Sequence, residues 1–116
     1  MTAIKLSSTN QLNKEQSLTS CPVTFTLSRI GGRWKPLIIF QLMSGTKRYS
    51  ELKRAISNIS EKMLIQHLKE LEADKLVLRK AMPVVPPHVE YSLTDQGKEI
   101  TPILGAMCTW AEKYNV

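Results

Sequence analysis

Two helical patterns joined by a very short turn restrict the possible folds of this 116-residue chain more than any other feature of its sequence. Tyr49, Leu52 and Ile56 recur at the spacing of three and four residues that one face of a helix requires. Residues 57–59 then interrupt the pattern, and Ser60 is a good N-cap for a second helix that runs to about residue 74. Two helices separated by three residues predict a helix-turn-helix.

The second of these helices has one apolar face and one polar face. At about 100° per residue, three leucines fall together on one side: Leu64, Leu68 and Leu71. Three polar residues fall on the other side: Lys62, Gln66 and Lys69. The N-terminal part of such a helix enters the major groove of DNA, where Lys62 can donate to guanine and Gln66 can pair with adenine. Ser60 can donate to a phosphate. The alternative is a solvated charged face on an ordinary amphipathic helix.

Positive charge is concentrated around this predicted helix-turn-helix. The chain has sixteen Lys and Arg against ten Asp and Glu, a net charge of +6, and residues 29–80 hold twelve of the positive and five of the negative groups. Four of these cations flank the predicted reading helix in the sequence: Lys47, Arg48, Arg79 and Lys80. Each one alone is equally well explained as a solubilising surface charge. Their clustering favours contacts with the phosphates of double-stranded DNA.

The N-terminal half of the chain is predicted to hold an arm and two further helices. Residues 1–20 are polar and form a flexible N-terminal arm, and residues 21–116 form the folded domain. One helix starts at Pro22, and a second, apolar nearly all round, starts near residues 34–36 and suits a central position in the core. Residues 46–48 are predicted to be a basic loop, followed by a short helix that Ser50 caps.

The C-terminal half predicts a hairpin and a last helix. Strands over residues 76–82 and around 89–93 are separated by a proline-rich tip, and Thr94 caps the last helix. This helix has a long apolar stripe that ends with Trp110 and Tyr114, so it either pairs with a second copy or packs on its own core. The fold class is therefore α+β and mostly helical: a helix-turn-helix with a two-stranded hairpin, as in a winged helix-turn-helix.

Composition excludes several other classes of protein. Cys21 and Cys108 have no CxxC spacing and no nearby His or Cys, which argues against a metal site and a disulfide scaffold. No apolar run approaches the length of a membrane span and no signal peptide is apparent, so we expect a cytoplasmic protein without a membrane partner. His67 and His88 have no nucleophile and orienting acid in a catalytic pattern, and no glycine-rich phosphate loop is present. We expect neither an enzyme nor a cofactor.

The sequence resembles the HxlR-type transcriptional regulators, a MarR-like winged-helix family, from Cys21 to about Tyr114. Four motifs carry the resemblance: Cys21-Pro22-Val23, Ile30-Gly31-Gly32-Arg33-Trp34-Lys35-Pro36, Ile59-Ser60-Glu61-Lys62-Met63-Leu64 and Val85-Pro86-Pro87-His88-Val89-Glu90-Tyr91-Ser92-Leu93-Thr94. The resemblance implies a homodimer on a palindromic operator, joined largely through the first and last helices. It also implies that the helix from Ser60 lies in the major groove and that the hairpin is a wing along the DNA backbone.

Four positions differ from the usual pattern of this family. Asn58 and Lys75 stand where glycine is common, and Met82 stands where an aromatic residue is common. His88 stands where Lys or Arg is common, so it is either a phosphate contact that is weaker or pH-dependent, or a plain exposed histidine.

Cys21 is a candidate redox sensor. It immediately precedes a helix that starts with proline, and a helix N-terminus lowers the pKa of a thiol. By resemblance it occupies the N-terminal cysteine position of the family, some members of which respond to oxidants or electrophiles. The alternative is a small cysteine that packs at a helix start, and packing is the favoured explanation for Cys108.

These expectations describe a sequence-specific regulator of transcription, acting as a repressor, with an oxidant or small-molecule effector. The competing function is a protein-interaction or adaptor module that has the winged-helix shape without sequence-specific DNA binding, because fold does not fix function. The basic concentration favours the DNA-binding function.

Overall fold

A computed structural model of the protein describes residues 21–115, so the predicted N-terminal arm over residues 1–20 lies outside the described residues. The elements are, in order, α1 (Pro22–Ile30), α2 (Lys35–Leu42), β1 (Lys47–Arg48), α3 (Tyr49–Ala55), α4 (Glu61–Ala73), β2 (Val77–Met82), β3 (His88–Leu93), α5 (Asp95–Lys98) and α6 (Thr101–Tyr114). Within this part of the chain no helix has the length and apolar character needed to cross a bilayer. The chain divides into two compact units, with the boundary in the sequence after Gly32.

The described part of the first unit contains α1. This helix begins at Pro22, after an extended Cys21, and proline suits the start of a helix because it has no backbone N–H to leave unpaired. The guanidinium of Arg29 lies 3.9 Å from the centre of the Phe25 ring, which is a cation–π contact. Val23 and Leu27 are exposed on this helix.

The second unit contains the helix-turn-helix, which confirms the main prediction. Helices α3 and α4 are joined by a short turn in which Asn58 has a φ of 74°, a left-handed conformation that Asn tolerates better than most residues. The hydroxyl of Ser60 accepts a hydrogen bond of 3.1 Å from the backbone N–H of Met63, so Ser60 caps α4. The inward face of α4 is fully buried, as predicted: Leu64, Leu68 and Leu71.

The start of α3 differs from the prediction. Ser50 was expected to cap this helix, but the helix begins at Tyr49 and Arg48 takes the cap position. The physical reason is the carboxylate of Glu51, which accepts a hydrogen bond of 2.8 Å from the backbone N–H of Arg48. Glu51 thereby satisfies a backbone donor at the helix start, and Ser50 is already inside the helix.

Helix α2 packs in the core, as predicted, but it buries only one of its faces. Ile38 and Ile39 are fully buried, and α2 packs against α4 and α6. Leu37 and Phe40 are 43% and 48% exposed. These two residues are three apart, so they share the face of an eight-residue helix that its neighbours leave uncovered.

The sheet has three antiparallel strands in the order β1-β3-β2. Strands β2 and β3 form the predicted hairpin, which we call the wing. The segment predicted as a basic loop is instead the short strand β1, in which Lys47 pairs with Tyr91 and Arg48 with Glu90. This pairing supplies partners for backbone groups of β3 on the side away from β2, which explains why so short a segment becomes a strand.

The turn between α4 and the wing is formed at Lys75. Lys75 has a φ of 65° after the end of α4, and the backbone N–H of Leu76 donates to the carbonyl of Leu71 over 3.0 Å, as in a Schellman motif. Glycine adopts this left-handed conformation most readily, which agrees with the family pattern that the resemblance led us to expect at this position. The hydroxyl of Thr94 donates to the carbonyl of Lys75 over 2.6 Å and links the end of the wing to this corner.

The predicted last helix is interrupted. Thr94 does act as a cap, because its hydroxyl accepts from the backbone N–H of Gly97 over 2.9 Å, but it caps the short α5. Helix α6 starts separately at Thr101. Pro102 has no backbone N–H to continue the hydrogen bonds of α5, and it is well suited to the first turn of a new helix. One long predicted helix is therefore two.

Candidate nucleic-acid interface

The outward face of α4 carries the residues that were predicted to read DNA bases. Lys62, Gln66 and Lys69 are all exposed, on the side opposite the buried leucines of the same helix. The two-faced character predicted from the helical spacing is thus confirmed. Ser60, at the N-terminal end of this face, is exposed, and its hydroxyl can still donate a hydrogen bond while it accepts one as the cap of the helix.

Four predicted phosphate contacts lie on the two outer strands of the sheet. Arg48 of β1 and Lys80 of β2 are both directly opposite Glu90 of the central strand. The other two, Lys47 and Arg79, are both directly opposite Tyr91. The sheet therefore brings together cations that are about 30 residues apart in the sequence, in two rows across β3.

A cleft of about 690 Å³ lies between α4, the start of α3 and the wing. Its walls are formed by Arg48, Tyr49, Ser50, Ile65, Leu68, Lys69, Glu72, Arg79, His88, Val89 and Tyr91. Four residues predicted from the sequence therefore line one cleft: Arg48, Lys69, Arg79 and His88. The other predicted residues are not part of its walls: Lys47, Ser60, Lys62, Gln66 and Lys80. Among the charged residues of the cleft, three cations, Arg48, Lys69 and Arg79, outnumber the carboxylate of Glu72.

His88 is the first residue of β3 and is not freely exposed. Its side chain is 19% exposed, and its Nε2 lies 3.0 Å from Oε2 of Glu90. His88 is opposite Met82 across the hairpin, at the strand end rather than within the proline-rich tip. Any contact of His88 with phosphate therefore has to compete with its contact to Glu90.

Tyr49 lines the cleft and was not predicted as a site residue. Its hydroxyl is buried and has no hydrogen-bond partner among the described residues. Burial, with smaller contributions from the charges of Glu61 and Tyr91, raises the pKa of Tyr49 above its usual value. The helical pattern in the sequence indicated only that Tyr49 belongs to the core face of α3, and no motif marked its hydroxyl.

A charged network that sequence reasoning missed connects the outward face of α4 with α2. Lys35 is only 7% exposed, and its Nζ lies 2.7 Å from Oε1 of Glu70. Nδ1 of His67 lies 3.5 Å from the same oxygen, and Nε2 of Gln66 donates to Oε2 of Glu70 over 3.3 Å. Burial by itself would raise the pKa of Glu70, but hydrogen bonds from Lys35 and Gln66, the charge of Lys35 and the nearby His67 outweigh it and hold the pKa below its usual value. The spacings of four between Gln66 and Glu70 and of three between His67 and Glu70 are the parts of this network that a sequence displays.

Cys21 lies immediately before α1, and its thiol is free. The backbone N–H groups of Thr24 and Val23, followed by the side chain of Thr24, favour the thiolate and lower the pKa of Cys21 below its usual value. Cys108 is exposed on α6, so the expectation that it packs in the core is not met within a single chain.

Comparison with known proteins identifies the family. The model of the HxlR-like helix-turn-helix family matches residues 29–116. The HTH-type transcriptional regulator YkvN of Bacillus subtilis (strain 168) is 54% identical over 95 residues, which make up 82% of this chain and 80% of YkvN.

Solved structures agree with this assignment. A MarR-family transcriptional regulator from Porphyromonas gingivalis W83 has a TM-score of 0.79 and 45% identity, covering 84% of this chain and 95% of its own. The redox regulator HypR in its oxidised form has a TM-score of 0.78 and 44% identity, covering 83% of this chain and 99% of its own. The chain belongs to the HxlR-like helix-turn-helix family and is a winged-helix transcriptional regulator of the MarR-like type.

Proposed function

We propose that this regulator binds a palindromic operator in double-stranded DNA as a homodimer and represses transcription by occupying it. The observation that carries the proposal is the exposed polar face of α4, with Lys62 and Gln66 near its N-terminal end. Arg48, Lys69 and Arg79 line a cleft beside this helix, and Lys47 and Lys80 lie on the same strands as Arg48 and Arg79. A helix of this kind fits the major groove, and flanking cations fit the phosphates on either side.

The proposed roles of the residues follow from their chemistry. Lys62 and Gln66 contact base edges, because Lys donates to guanine and Gln offers a donor and an acceptor to adenine. The hydroxyl of Ser60 contacts a phosphate. The cations contact phosphates and carry no sequence information themselves: Lys47, Arg48, Lys69, Arg79 and Lys80. His88 contributes only where a phosphate displaces it from Glu90.

The exposed side chains of α6 favour pairing with a second copy. Met107, Trp110 and Tyr114 are 54%, 65% and 73% exposed, and the rings of Trp110 and Tyr114 contact each other with their centres 5.3 Å apart. Ile103 extends this apolar surface by another turn. Leu104 is the buried residue of this helix. Within the described part of one chain, most of the apolar stripe of α6 is therefore left exposed. A contiguous exposed apolar surface is typical of a dimer interface.

Selection of bound fragments from random duplex DNA tests the DNA-binding proposal and the roles of two residues. We expect a palindrome with half-sites about 10 base pairs apart, one helical turn. We expect Gln66→Ala to lower the discrimination between bases at one position of each half-site by about 1 to 3 kcal/mol. We expect Arg79→Ala to weaken binding to all duplexes alike, because a phosphate contact is independent of sequence. Titrations of selected and single-base-changed duplexes measure both effects.

Equal, sequence-independent losses in both variants would contradict the roles assigned to Gln66 and Arg79. The adaptor function makes a different prediction for the unaltered protein. An adaptor with this fold would enrich no common sequence in the selection and would show no difference between selected and scrambled duplexes. Such a result would reject the DNA-reading proposal as a whole.

We also propose that Cys21 makes DNA binding sensitive to oxidants or electrophiles. The lowered pKa of Cys21 and its free thiol support this role, and the similar protein HypR is a redox regulator. A peroxide would oxidise the Cys21 thiolate to sulfenic acid and itself be reduced to water. Because Val23 and Leu27 of the adjoining helix are exposed, a modification there can alter how two copies pair and hence how their reading helices are spaced.

Oxidant treatment of purified variants tests the sensor. We expect hydrogen peroxide to change the operator affinity of the native protein and to leave that of Cys21→Ser unchanged, as measured by titration of labelled operator. Cys108→Ser is the matched control, since it removes the other thiol and should respond like the native protein. If Cys21→Ser responds to the oxidant as strongly as the native protein does, Cys21 is not the switch.

A further inference from the structure

Glu70 connects a proposed base-reading side chain with a buried cation. One of its carboxylate oxygens accepts from Nε2 of Gln66 over 3.3 Å, and the other lies 2.7 Å from Nζ of Lys35. Gln66 is exposed on the outward face of α4, whereas Lys35 is 7% exposed at the start of α2. The carboxylate therefore bridges the surface that is proposed to meet DNA and the interior of the fold.

The contact with Glu70 fixes which way round the Gln66 amide points. An ionised carboxylate only accepts hydrogen bonds, so it favours the amide nitrogen of Gln66 and repels the amide oxygen. The nitrogen has two hydrogens, and Glu70 takes one of them. The outward edge of Gln66 then consists of one N–H donor and one carbonyl acceptor.

This edge distinguishes the two purines. Adenine presents an acceptor at N7 and a donor at N6 in the major groove, which match one N–H and one carbonyl. Guanine presents acceptors at both N7 and O6. A freely rotating glutamine can turn its NH2 group toward guanine and donate both hydrogens, but a glutamine held by Glu70 has one of them engaged.

Lys35 in turn holds Glu70 in place. The side chains of Lys35 and Glu70 are 9% and 23% exposed, so the ion pair is largely shielded from water and its geometry is not lost to solvent competition. Nδ1 of His67, one residue after Gln66, lies 3.5 Å from the same carboxylate oxygen as Lys35. The carboxylate is thus fixed by the interior before any DNA is bound.

We propose that Glu70, anchored by Lys35, is a positioning residue that makes Gln66 discriminate adenine from guanine. The proposal rests on the DNA-reading function proposed above, and it assigns the specificity of one base contact to a residue that touches no base. It predicts that loss of Glu70 changes the ratio of the affinities for duplexes with adenine and with guanine at one operator position. A merely structural role of the ion pair would not change this ratio.

The test uses a charge-neutral double variant, Lys35→Met with Glu70→Met. It removes the acceptor from Gln66 without leaving an unpaired buried ammonium, and a buried ion pair replaced by apolar residues of similar size is tolerated. Net charge is unchanged, so contacts with phosphates are unaffected. The measurement is the ratio of affinities for two duplexes that differ by adenine or guanine at the position where Gln66→Ala loses its preference.

We expect the double variant to lower this ratio by about fivefold or more, which corresponds to the lower end of the discrimination given by one bidentate contact. Adding Gln66→Ala to the double variant should then cause little further loss, because Glu70 acts through Gln66. Glu99→Gln, which alters an exposed carboxylate outside both α4 and the cleft, is the matched control and should leave the ratio unchanged. If the double variant fails to fold, Glu70→Gln keeps the shape of the side chain and is expected to lower the same ratio by a smaller factor.

An unchanged adenine-to-guanine ratio in folded Glu70 variants would overturn this inference while leaving the DNA-reading function intact. A Gln66→Ala protein that keeps every base preference would also overturn it. If the unaltered protein selects no sequence at all, the proposed function itself fails, so the two failures are distinguishable.

Discussion

The affinity of the protein for its selected operator is expected to fall about a thousandfold or more when salt rises from about 50 to about 200 mM. Six cations per chain are proposed to face DNA. Lys62 contacts a base edge, and the other five contact phosphates: Lys47, Arg48, Lys69, Arg79 and Lys80. Each phosphate that they neutralise releases condensed counterions, so the logarithm of the affinity should fall linearly with the logarithm of the salt concentration, with a slope of about −0.9 per contact. Titrations of labelled operator at four or more salt concentrations measure this slope.

Variants of single cations make the salt experiment specific. Arg79→Ala should make the slope shallower by about one for each phosphate contact that is lost. Lys98→Ala is the matched control, because Lys98 is an exposed cation on α5 that belongs to neither cation row nor to the cleft. It should leave the slope unchanged. A nearly flat dependence on salt for the unaltered protein would contradict the phosphate contacts altogether.

Replacing Gly97 with alanine is expected to destabilise the fold by about 2 kcal/mol or more. A Cβ at this position would overlap the carbonyl oxygen of Leu76, which already accepts a hydrogen bond of 3.1 Å from the backbone N–H of Thr94. This oxygen belongs to the backbone, and its hydrogen bond links the residues just before and just after the wing. It therefore cannot move aside without breaking the hydrogen bond from Thr94. For a domain of this size the loss lowers the melting temperature by roughly 8 to 16 °C, which thermal unfolding followed by circular dichroism measures.

Gly105→Ala provides the matched control for this substitution. Gly105 lies in α6, and a Cβ there would meet no atom within 4 Å. Alanine has a higher helix propensity than glycine by about 1 kcal/mol, so Gly105→Ala should maintain or raise stability. If Gly97→Ala is as stable as Gly105→Ala, the close approach of Gly97 to Leu76 does not limit the fold.

The sequence was most informative where one periodic pattern decides the structure. Leu64, Leu68 and Leu71 recur at helical spacing, and burial of these three residues leaves Gln66 outside whatever the neighbouring elements are. The N-cap at Ser60 is equally local, because it depends on a backbone group only three residues away. The orientation of the proposed reading helix was predictable for this reason.

Features that depend on distant partners were not predictable in the same way. Strand β1 has two residues and hence no periodicity, and it exists because β3, some forty residues later, pairs with it. Helix α2 is apolar on all sides, so its sequence contained no signal that Leu37 and Phe40 would be exposed. Lys35 and Glu70 each resemble ordinary surface charges in the sequence, and folding alone brings them within 2.7 Å of each other.

Strand β1 has a mechanical consequence for regulation. Arg48 ends β1 and Tyr49 begins α3 without an intervening residue, so the wing is fastened directly to the helix that supports α4. A force on the wing is therefore transmitted to the helix-turn-helix instead of being absorbed by a flexible hinge. In the proposed dimer, an effector would then change the distance between the two helix-turn-helix units, because the conformation of each unit is hard to alter. Regulation would then depend on whether the spacing of the two α4 helices matches the spacing of the half-sites in the operator.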